Sequence, residues 1–318
     1  MRIITRDIIE QLVDIDSVVA GQENAFVAFS RGKATIPPVG HMNFSEPNGD
    51  YHIKYGMIHG SKHWVVKLAG GFYQNPERYG FSSSQGMMIV LSAEHGKPLY
   101  LLQDEGYLTD LRTAIAGYLC AKHIAGSIQN IGVIGTGVQA RMQTQLLHRY
   151  YPSAPVYLWG RNAEKVQRLS KELRKQGITV HVCNEIEEVV AACDYIVTTT
   201  PATTPLINTF HIKRPLHITA VGSDTHGKQE LGTEFTAASD CIIVDSHAQC
   251  GEYGELSHVG NPDMLHVAEL GSVIGRDKVL PETQPRLSIA DLTGVAVQDI
   301  AIAESIILSY EAQHGACN

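Results

Sequence analysis

The chain has 318 residues, enough for two domains of ordinary size, and 44% of them are hydrophobic. The 33 acidic residues outnumber the 25 lysines and arginines, which gives a net charge of −8. This balance and the lack of a basic cluster argue against a nucleic-acid partner. No segment reaches the ~18 uninterrupted apolar residues of a membrane span, and the N-terminal segment lacks the apolar core of a signal peptide.

The six cysteines are scattered and include no C-x-x-C pair, which predicts reduced thiols in a cytoplasmic protein. The fifteen histidines include neither an H-E-x-x-H motif nor a tight cluster, so we expect no bound metal. The composition therefore argues against nucleic-acid, membrane and metal partners.

The first 130 residues predict an α+β region. A helical pattern leads into Pro37 and Pro38, and strand-like runs with turn signals follow it. The segment EHGK between two of these runs is typical of a hairpin turn. The predicted elements are a helical stretch at 6–33, strands at 50–58, 63–72 and within 85–104, and a helix at 108–124.

From residue 130 onward, the sequence alternates strands and helices. Two helices are predicted over 138–150 and 163–177, and a last helix over 295–311 is expected to pack on the first domain. The strands are predicted in the segments NIGVIG, PVYLWG, ITVHVC, CDYIVTTT, LHITAVG, CIIVDS and RLSIADL. This alternation predicts an α/β fold with a Rossmann-type, doubly wound parallel sheet.

The segment GTGVQA fits the G-x-G-x-x-G/A fingerprint of a dinucleotide-binding turn. Gly135 permits the tight turn, Gly137 lets the backbone approach a pyrophosphate, and Ala140 allows close packing of helix against strand. The N–H groups and dipole of the following helix would bind the phosphates. We therefore expect cofactor contacts from Gly135, Thr136, Gly137, Val138, Gln139 and Ala140.

The end of the second strand bears on the choice between NAD and NADP. An NAD-preferring site usually places Asp or Glu there to bind the ribose 2′-hydroxyl. Arg161 and Asn162 stand there in this sequence, and a guanidinium suits a 2′-phosphate. A solvated arginine beside the adenine is the alternative. The sequence thus slightly favours NADP, or the use of both cofactors.

Five segments resemble the ornithine cyclodeaminase/mu-crystallin family, in the family's order and nearly from end to end. They are VVKLAGGFYQNP, GYLTDLRTAIAG, GVIGTGVQA, VGSDTHGKQEL and LTGVAVQDIAIA. The resemblance implies a substrate-binding and dimerisation domain at 1–120, completed by 295–318, and an NAD(P)-binding Rossmann domain at 121–294. It also implies a homodimer, and hydride transfer between a nicotinamide and the α-carbon of an amino or imino acid.

The resemblance carries roles for three charged residues. Arg112 would bind the α-carboxylate with its bidentate fork, and Lys67 would hold a second carboxylate oxygen or polarise the reacting group. Asp224 follows an apolar strand and would move a proton to or from the nitrogen. The alternatives are solvated surface charges for the two basic residues and a turn or helix-cap role for Asp224.

Other residues receive lesser roles from the resemblance. His226 is either a second proton-transfer group or a structural loop histidine, and Asp299 is expected to anchor the last helix. Thr113 is expected to cap or support Arg112 and also to contact phosphate. Further cofactor contacts are expected from Thr199, Gly294 and Val295.

Two positions depart from the family. His41 stands near a position where many members carry an arginine that binds carboxylate, so His41 is a candidate replacement. Members that use diamino acids place a carboxylate on the strand before the lysine, where Lys54 is the candidate here. If Lys54 faces inward rather than towards solvent, it would repel a distal ammonium and attract a second carboxylate.

These departures favour a 2-imino acid (ketimine) reductase or an amino-acid dehydrogenase. The main alternative is an ornithine (diamino acid) cyclodeaminase, which releases ammonia and recycles its NAD+ in place. A nucleotide-binding protein without turnover, as in some crystallin-like relatives, is the third interpretation. The sequence leaves open which of these the chain is.

Overall fold

A computed structural model describes the chain over residues 1–46, 49–208, 212, 214–262, 265–278 and 285–315. The chain divides into two compact units. The first unit comprises Met1–Arg112 with Val295–Asn318, and the second comprises Thr113–Gly294. The substrate and cofactor roles expected for the two domains stay predictions.

The first unit is built on a seven-stranded sheet. Its strands follow the order β1-β7-β6-β5-β4-β2, and β3 also pairs with β4. The strands are β1 (Arg2–Thr5), β2 (Ala34–Thr35), β3 (Gly40–Phe44), β4 (Gly49–Ile58), β5 (His63–Phe72), β6 (Ser84–Ser92) and β7 (Pro98–Gln103). The helices are α1 (Arg6–Leu12), α2 (Ile15–Ser30), α3 (Asn75–Arg78), the start of α4 (Tyr107–His123) and α11 (Ala296–His314).

The antiparallel meander predicted from the sequence is formed by β4 to β7. Two local features differ from the prediction. The helical stretch is broken because Asp14 caps α2, its side chain accepting a hydrogen bond from the backbone N of Asp16 at 3.3 Å. In addition, the sequence did not indicate β1, which pairs in parallel with β7.

The two faces of this sheet differ in burial. Along β5, Val65 and Lys67 are buried, whereas Val66 and Leu68 on the other face are partly exposed. Helix α11 packs against α2, β4 and β5, and its buried side chains cover the inner face of the sheet. The period-2 pattern of the strand therefore turns Lys67 inward.

The second unit is built on an eight-stranded sheet in which every named strand pair is parallel. The strands are β8 (Ile131–Ile134), β9 (Val156–Trp159), β10 (Val180–Val182), β11 (Tyr195–Thr198), β12 (Leu216–Ala220), β13 (Cys241–Val244), β14 (Val267–Glu269) and β15 (Leu287–Asp291). The helices are α5 (Val138–Tyr150), α6 (Ala163–Lys175), α7 (Ile186–Ala192), α8 (Thr233–Ala237), α9 (His247–Tyr253) and α10 (Leu270–Ile274), with a 3₁₀ turn at Glu255–His258. The predicted α/β fold is confirmed.

The strand order of this sheet is β10-β9-β8-β11-β12-β15-β13-β14. The order reverses at β8, because β9 and β10 lie on one side of it and β11 and β12 on the other. In open parallel sheets, ligands bind outside the carboxyl ends of the strands at such a reversal. The loops that follow β8, β9, β11 and β12 are therefore the ones expected to form the cofactor site.

Five cysteines are buried free thiols, and Cys317 lies outside the described residues. Among the described helices, none has the length and apolar character needed to cross a membrane.

Candidate functional site

The loop after β8 has the features of a dinucleotide-binding turn. Gly135 adopts φ +131°, and a Cβ there would lie 2.4 Å from Oγ1 of Thr199, so a side chain is excluded. A Cβ on Gly137 would meet nothing within 4 Å, which leaves open space beside the backbone. Gly137 also caps the 13-residue helix α5, whose first N–H groups have no intrahelical acceptor. The turn therefore fits a pyrophosphate.

Neighbouring residues brace this turn. Ala140 is fully buried, which allows α5 to lie close to the sheet. The backbone N and Oγ1 of Thr199 both donate to the carbonyl oxygen of Ile134, at 2.9 and 3.2 Å. Thr199 thus joins the carboxyl ends of β8 and β11, and a contact from Thr199 to the cofactor stays a prediction.

Two residues after β9 differ in their contacts: Asn162 caps a helix, and Arg161 is exposed. Asn162 caps α6, because its Oδ1 accepts a hydrogen bond from the backbone N of Lys165 at 3.0 Å. Arg161 is exposed and makes no hydrogen bond or ion pair within the described part of the chain. The Asn162 oxygen is therefore engaged by the protein, whereas the Arg161 guanidinium is available to a ligand.

Asp224 lies in the loop after β12, at the same edge of the sheet. Its Oδ1 is 2.7 Å from Nζ of Lys228, and its side chain is 41% exposed. The nearby His226 is more exposed, and its Nε2 lies 3.5 Å from Oε1 of Glu252. Asp224 is therefore an accessible carboxylate held beside an ammonium, and its role in proton transfer stays a prediction.

A buried carboxylate, Glu230, joins the loops after β11 and β12. It accepts hydrogen bonds from Oγ1 of Thr198 at 2.6 Å, from N and Oγ1 of Thr200 at 2.7 Å each, and from N of Gly222 at 2.8 Å. Burial raises the pKa of Glu230 above its ordinary value, although these hydrogen bonds offset part of that rise. The sequence analysis missed this residue.

Three further buried carboxylates fix neighbouring loops. Glu255 accepts from the backbone N atoms of Glu230 and Leu231, and Asp291 accepts from that of Leu256. Burial, with the neighbouring charge of Asp291, raises the pKa of Glu255 to about 9, and burial raises the pKa of Asp291 to about 7. Near neutral pH, Glu255 is therefore mostly protonated, and Asp291 is protonated in part.

The third carboxylate, Asp245, binds the segment that the resemblance assigns to the nicotinamide. Its Oδ2 accepts from the backbone N of Gly294 at 2.6 Å, and its Oδ1 accepts from Oγ1 of Thr293 at 3.0 Å. The end of β13 thus holds the loop that follows β15.

The first unit contains a buried cluster of charges. Lys67 Nζ lies 3.2 Å from Oδ2 of Asp299, and Arg112 Nε lies 3.1 Å from Oδ1 of the same carboxylate. All three side chains are buried. The sequence analysis gave Asp299 only an anchoring role for the last helix, whereas the structure pairs it with both predicted carboxylate-binding residues.

Gln298 completes the support of Arg112. Its Oε1 accepts from Nη1 of Arg112 at 3.3 Å and from the backbone N of Val295 at 2.9 Å, and its Nε2 donates to the Arg112 carbonyl at 3.3 Å. Sequence reasoning missed Gln298. The available signal was two adjacent polar residues, Gln298 and Asp299, within the otherwise apolar stretch 296–303.

Lys54 is buried rather than solvent-facing, with 5% of its surface exposed. It lies on β4 directly opposite Lys67 on β5, and side chains at such paired positions share one face of the sheet. On the same strand, His52 lies opposite His41, with their rings 4.4 Å apart, and His52 Nε2 lies 3.6 Å from Oδ1 of Asp50. Lys54, Lys67 and Arg112, hereafter the cationic cluster, thus form one group.

The charges within the cationic cluster alter one another. Burial and the positive charges of Arg112 and Lys54 lower the pKa of Lys67, and Asp299 offsets part of that effect, so that the pKa falls from 10.5 to about 7. Lys67 is therefore protonated only in part at neutral pH. An anionic ligand beside it would favour its charged form.

The structure groups the predicted residues as follows. Lys54, Lys67 and Arg112 lie together in the first unit. The glycine-rich turn, Thr199 and Asp224 lie at the carboxyl edge of the second unit's sheet. Thr113 accepts a hydrogen bond through its carbonyl oxygen from Nε2 of Gln143 at 3.2 Å, and Val295 is fully buried.

Comparison with known proteins identifies the family. Residues 2–314 match the ornithine cyclodeaminase/mu-crystallin family, and the chain belongs to it. An uncharacterized cyclodeaminase of Sinorhizobium fredii is 34% identical over 311 residues, which cover 95% of this chain and 94% of that protein.

Two solved structures have the same fold over nearly the whole chain. An archaeal alanine dehydrogenase dimer with bound NAD has a TM-score of 0.89 and 29% identity, covering 99% of this chain and 98% of that one. The iminosuccinate reductase of Paracoccus denitrificans, in complex with NAD+, has a TM-score of 0.89 and 26% identity, with the same coverage. The predicted class is confirmed: the chain is an NAD(P)-dependent enzyme of a family that acts on amino and imino acids. The preference for NADP stays a prediction.

Proposed function

We propose that the chain is an NAD(P)H-dependent 2-imino acid reductase, or in the reverse direction an amino-acid dehydrogenase, with a preference for substrates that carry a second carboxylate. The observation that carries the proposal is the pair of buried lysines, Lys54 and Lys67, directly opposite each other. Like charges at such positions repel each other. A second carboxylate would relieve this repulsion, whereas the distal ammonium of ornithine would add to it.

The residues of the chain have the following proposed roles in the reaction. Arg112 binds the α-carboxylate through its fork, and Lys67 supplies a second cation to the same group. Asp299 and Gln298 hold these cations in place. Asp224 moves a proton at the substrate nitrogen. A nicotinamide cofactor whose pyrophosphate is bound at the glycine-rich turn would supply or accept the hydride at the α-carbon.

The substrate proposal is tested with oxaloacetate plus ammonium and with pyruvate plus ammonium, each with NADPH or NADH. Oxaloacetate is expected to give the higher kcat/KM. Lys54→Met should lower kcat/KM for oxaloacetate by about tenfold or more while changing that for pyruvate much less, because one charged contact is lost. Lys62→Met, on the exposed turn between β4 and β5, is the matched control. Equal losses on both substrates in Lys54→Met would refute the side-chain role.

For the cofactor, we propose that Arg161 binds the 2′-phosphate of NADP. The support is its exposed, unengaged guanidinium after β9. Arg161→Ala should weaken NADPH binding by about tenfold and leave NADH binding nearly unchanged, as measured by fluorescence titration. Arg168→Ala, on the exposed face of α6, is the control. If wild-type protein binds NADH much more tightly than NADPH, the preference is wrong.

A diamino-acid cyclodeaminase is the second candidate, and one observation favours it. Asp104 is buried, and its Oδ1 has no hydrogen-bond partner among the described residues. The positive charge of Lys67 also acts on its carboxyl. A distal ammonium could bind there, although burial raises the pKa of Asp104 and so weakens its charge. Proline and ammonia formed from ornithine with catalytic NAD+ would select this candidate.

We also propose that the chain forms a homodimer through the outer face of the seven-stranded sheet. A row of apolar side chains crosses five strands in register on that face, and all of them are at least partly exposed: Ile3, Leu101, Ile89, Val66 and Tyr55. An apolar patch of this extent marks an interface. The dimeric alanine dehydrogenase relative supports the assignment.

A further inference from the structure

We propose that Lys228 is a positioning residue for proton transfer, which holds the carboxylate of Asp224 in place and in its ionised form. This inference rests on the proposed role of Asp224 in the reaction. It adds a residue that the sequence analysis did not single out and gives the loop after β12 a defined task.

Lys228 is held both at its ammonium group and at its backbone carbonyl. Its Nζ lies 2.7 Å from Oδ1 of Asp224, and only 14% of its side chain is exposed. Its carbonyl oxygen accepts hydrogen bonds from Oγ of Ser223 at 2.8 Å and lies 3.0 Å from Nε2 of His258. A surface lysine normally loses rotamer entropy when it forms an ion pair, but here the backbone and the stem are already held.

The loop itself is closed at both ends by buried carboxylates. The backbone N of Gly222, just before Asp224, donates to Glu230 at 2.8 Å. The backbone N of Glu230, just after Lys228, donates to Glu255 at 2.7 Å. Between these ends, Gly227 makes the turn with φ +82°, a conformation that favours glycine. The short Asp224–Lys228 pair is therefore imposed by the loop.

Other titratable groups surround this pair. His226 is exposed and lies beside Glu252, and its ring packs edge-on against Tyr253 with centroids 5.5 Å apart. His258 faces the carbonyl of Lys228 rather than its ammonium. Glu230 is engaged by its own hydrogen bonds. The ammonium of Lys228 contacts the Asp224 carboxylate directly, at 2.7 Å.

The chemical consequence follows from charge. In oxidation of an amino acid, the Asp224 carboxylate accepts one proton from the substrate ammonium, and the freed nitrogen lone pair forms the C=N bond as hydride leaves the α-carbon. In reduction, the carboxylic acid returns that proton to the amine nitrogen. Lys228 stays protonated throughout. A nearby cation stabilises the carboxylate and makes the corresponding acid a stronger proton donor.

The direct test is the titration of Asp224 in the full-length protein. Protein labelled with ¹³C at the aspartate carboxyl carbons is titrated by NMR, and Asp224→Asn assigns the signal. Lys228→Met should raise the titration midpoint of Asp224 by about half a unit to one unit, because the pair is partly exposed to solvent. Lys228→Arg should restore the midpoint, and Lys171→Met on the exposed face of α6 should not move it.

The kinetic test uses oxaloacetate or pyruvate with ammonium and NADPH, and the matching amino acids with NADP+. In Lys228→Met, kcat should fall about tenfold at neutral pH, and the acidic limb of its profile for amino-acid oxidation should move to higher pH. Cofactor affinity should stay unchanged.

Three outcomes would overturn the inference. The first is an unchanged Asp224 midpoint in Lys228→Met protein that retains the wild-type circular dichroism spectrum. The second is a midpoint that Lys228→Arg fails to restore. The third is a rise in KM with no change in the kcat profile, which would make Lys228 a substrate-binding residue. Normal turnover in Asp224→Asn would instead refute the proposed role of Asp224, while the titration would still report on Lys228.

Discussion

Asp299 is the residue on which the buried charges of the first unit depend. It is the shared anion of Lys67 and Arg112, all three side chains being nearly inaccessible to water. Two cations on one carboxylate leave net positive charge, which an anionic substrate can neutralise. The pKa of Lys67 is about 7 in the folded chain and 10.5 in the unfolded chain. Between these values the unfolded chain binds more protons than the folded chain, so the free energy of unfolding rises with pH.

Asp299→Asn should destabilise the protein by about 3–5 kcal/mol, because it leaves two buried cations without their shared anion. Urea denaturation followed by Trp64 fluorescence in a Trp159→Phe background measures this in the first unit. The control is Glu10→Gln, which removes the exposed Arg6–Glu10 ion pair and should cost less than about 1 kcal/mol. Similar small losses in both variants would show that Asp299 is not the essential counter-ion.

At the scale of elements, the second unit depends on loops that buried carboxylates tie together. Glu230 joins the ends of β11 and β12, Asp245 joins the end of β13 to the loop after β15, and Asp291 holds the 3₁₀ turn through Leu256. Loops at the carboxyl edge of such a sheet form its binding site. These three buried carboxylates therefore hold the loops in place, although none of them was predicted to contact the substrate or the cofactor.

This arrangement predicts a pH dependence. The pKa of Asp291 is raised from 3.8 to about 7 in the folded chain, so the folded state binds a proton that the unfolded state has lost. The resulting stability is fully present below pH 3.8 and is lost as the pH rises through 7. In the wild type, the free energy of unfolding should fall by an amount on the order of a few kcal/mol across that range. Asp291→Asn stays neutral and should not show this fall.

The measurement for Asp291 is urea denaturation between pH 5 and pH 9, followed by Trp159 fluorescence in a Trp64→Phe background. Glu164→Gln, at an exposed position of α6, controls for the loss of a negative charge. An equally steep pH dependence in wild type and Asp291→Asn would contradict the account of this carboxyl group.

The sequence predicted those features that local patterns encode. The strand His63–Phe72 and the helix Val138–Tyr150 were predicted at their observed bounds, because alternation and helical periodicity are local signals. The parallel pairing of β1, the roles of Gln298 and Glu230, and the pairing of Asp299 with Lys67 and Arg112 were not predicted. Each depends on a partner distant in the chain, such as the 186 positions that separate Arg112 from Gln298. A lone polar residue in an apolar helix or loop does not identify that partner.

At the scale of the whole molecule, the apolar row on the outer sheet face predicts assembly. Ile3→Glu and Tyr55→Glu place charges at the two ends of the row, at positions exposed within a single chain. Each should convert a dimer to a monomer in light scattering coupled to size-exclusion chromatography, since a buried charge without a partner is costly. Leu308→Glu, an exposed apolar position on α11, is the control. A dimer unaffected by both sheet variants would place the interface elsewhere.

In the proposed reaction, the hydride stays on the product. The most direct measurement supplies NADPH deuterated at the transferred C4 position, with oxaloacetate and ammonium, and determines the isotope content of the amino acid by mass spectrometry. We expect one deuterium at the α-carbon for each NADPH consumed. Ornithine converted to proline and ammonia with no net use of cofactor, together with no deuterium-labelled amino acid from the imine, would contradict it.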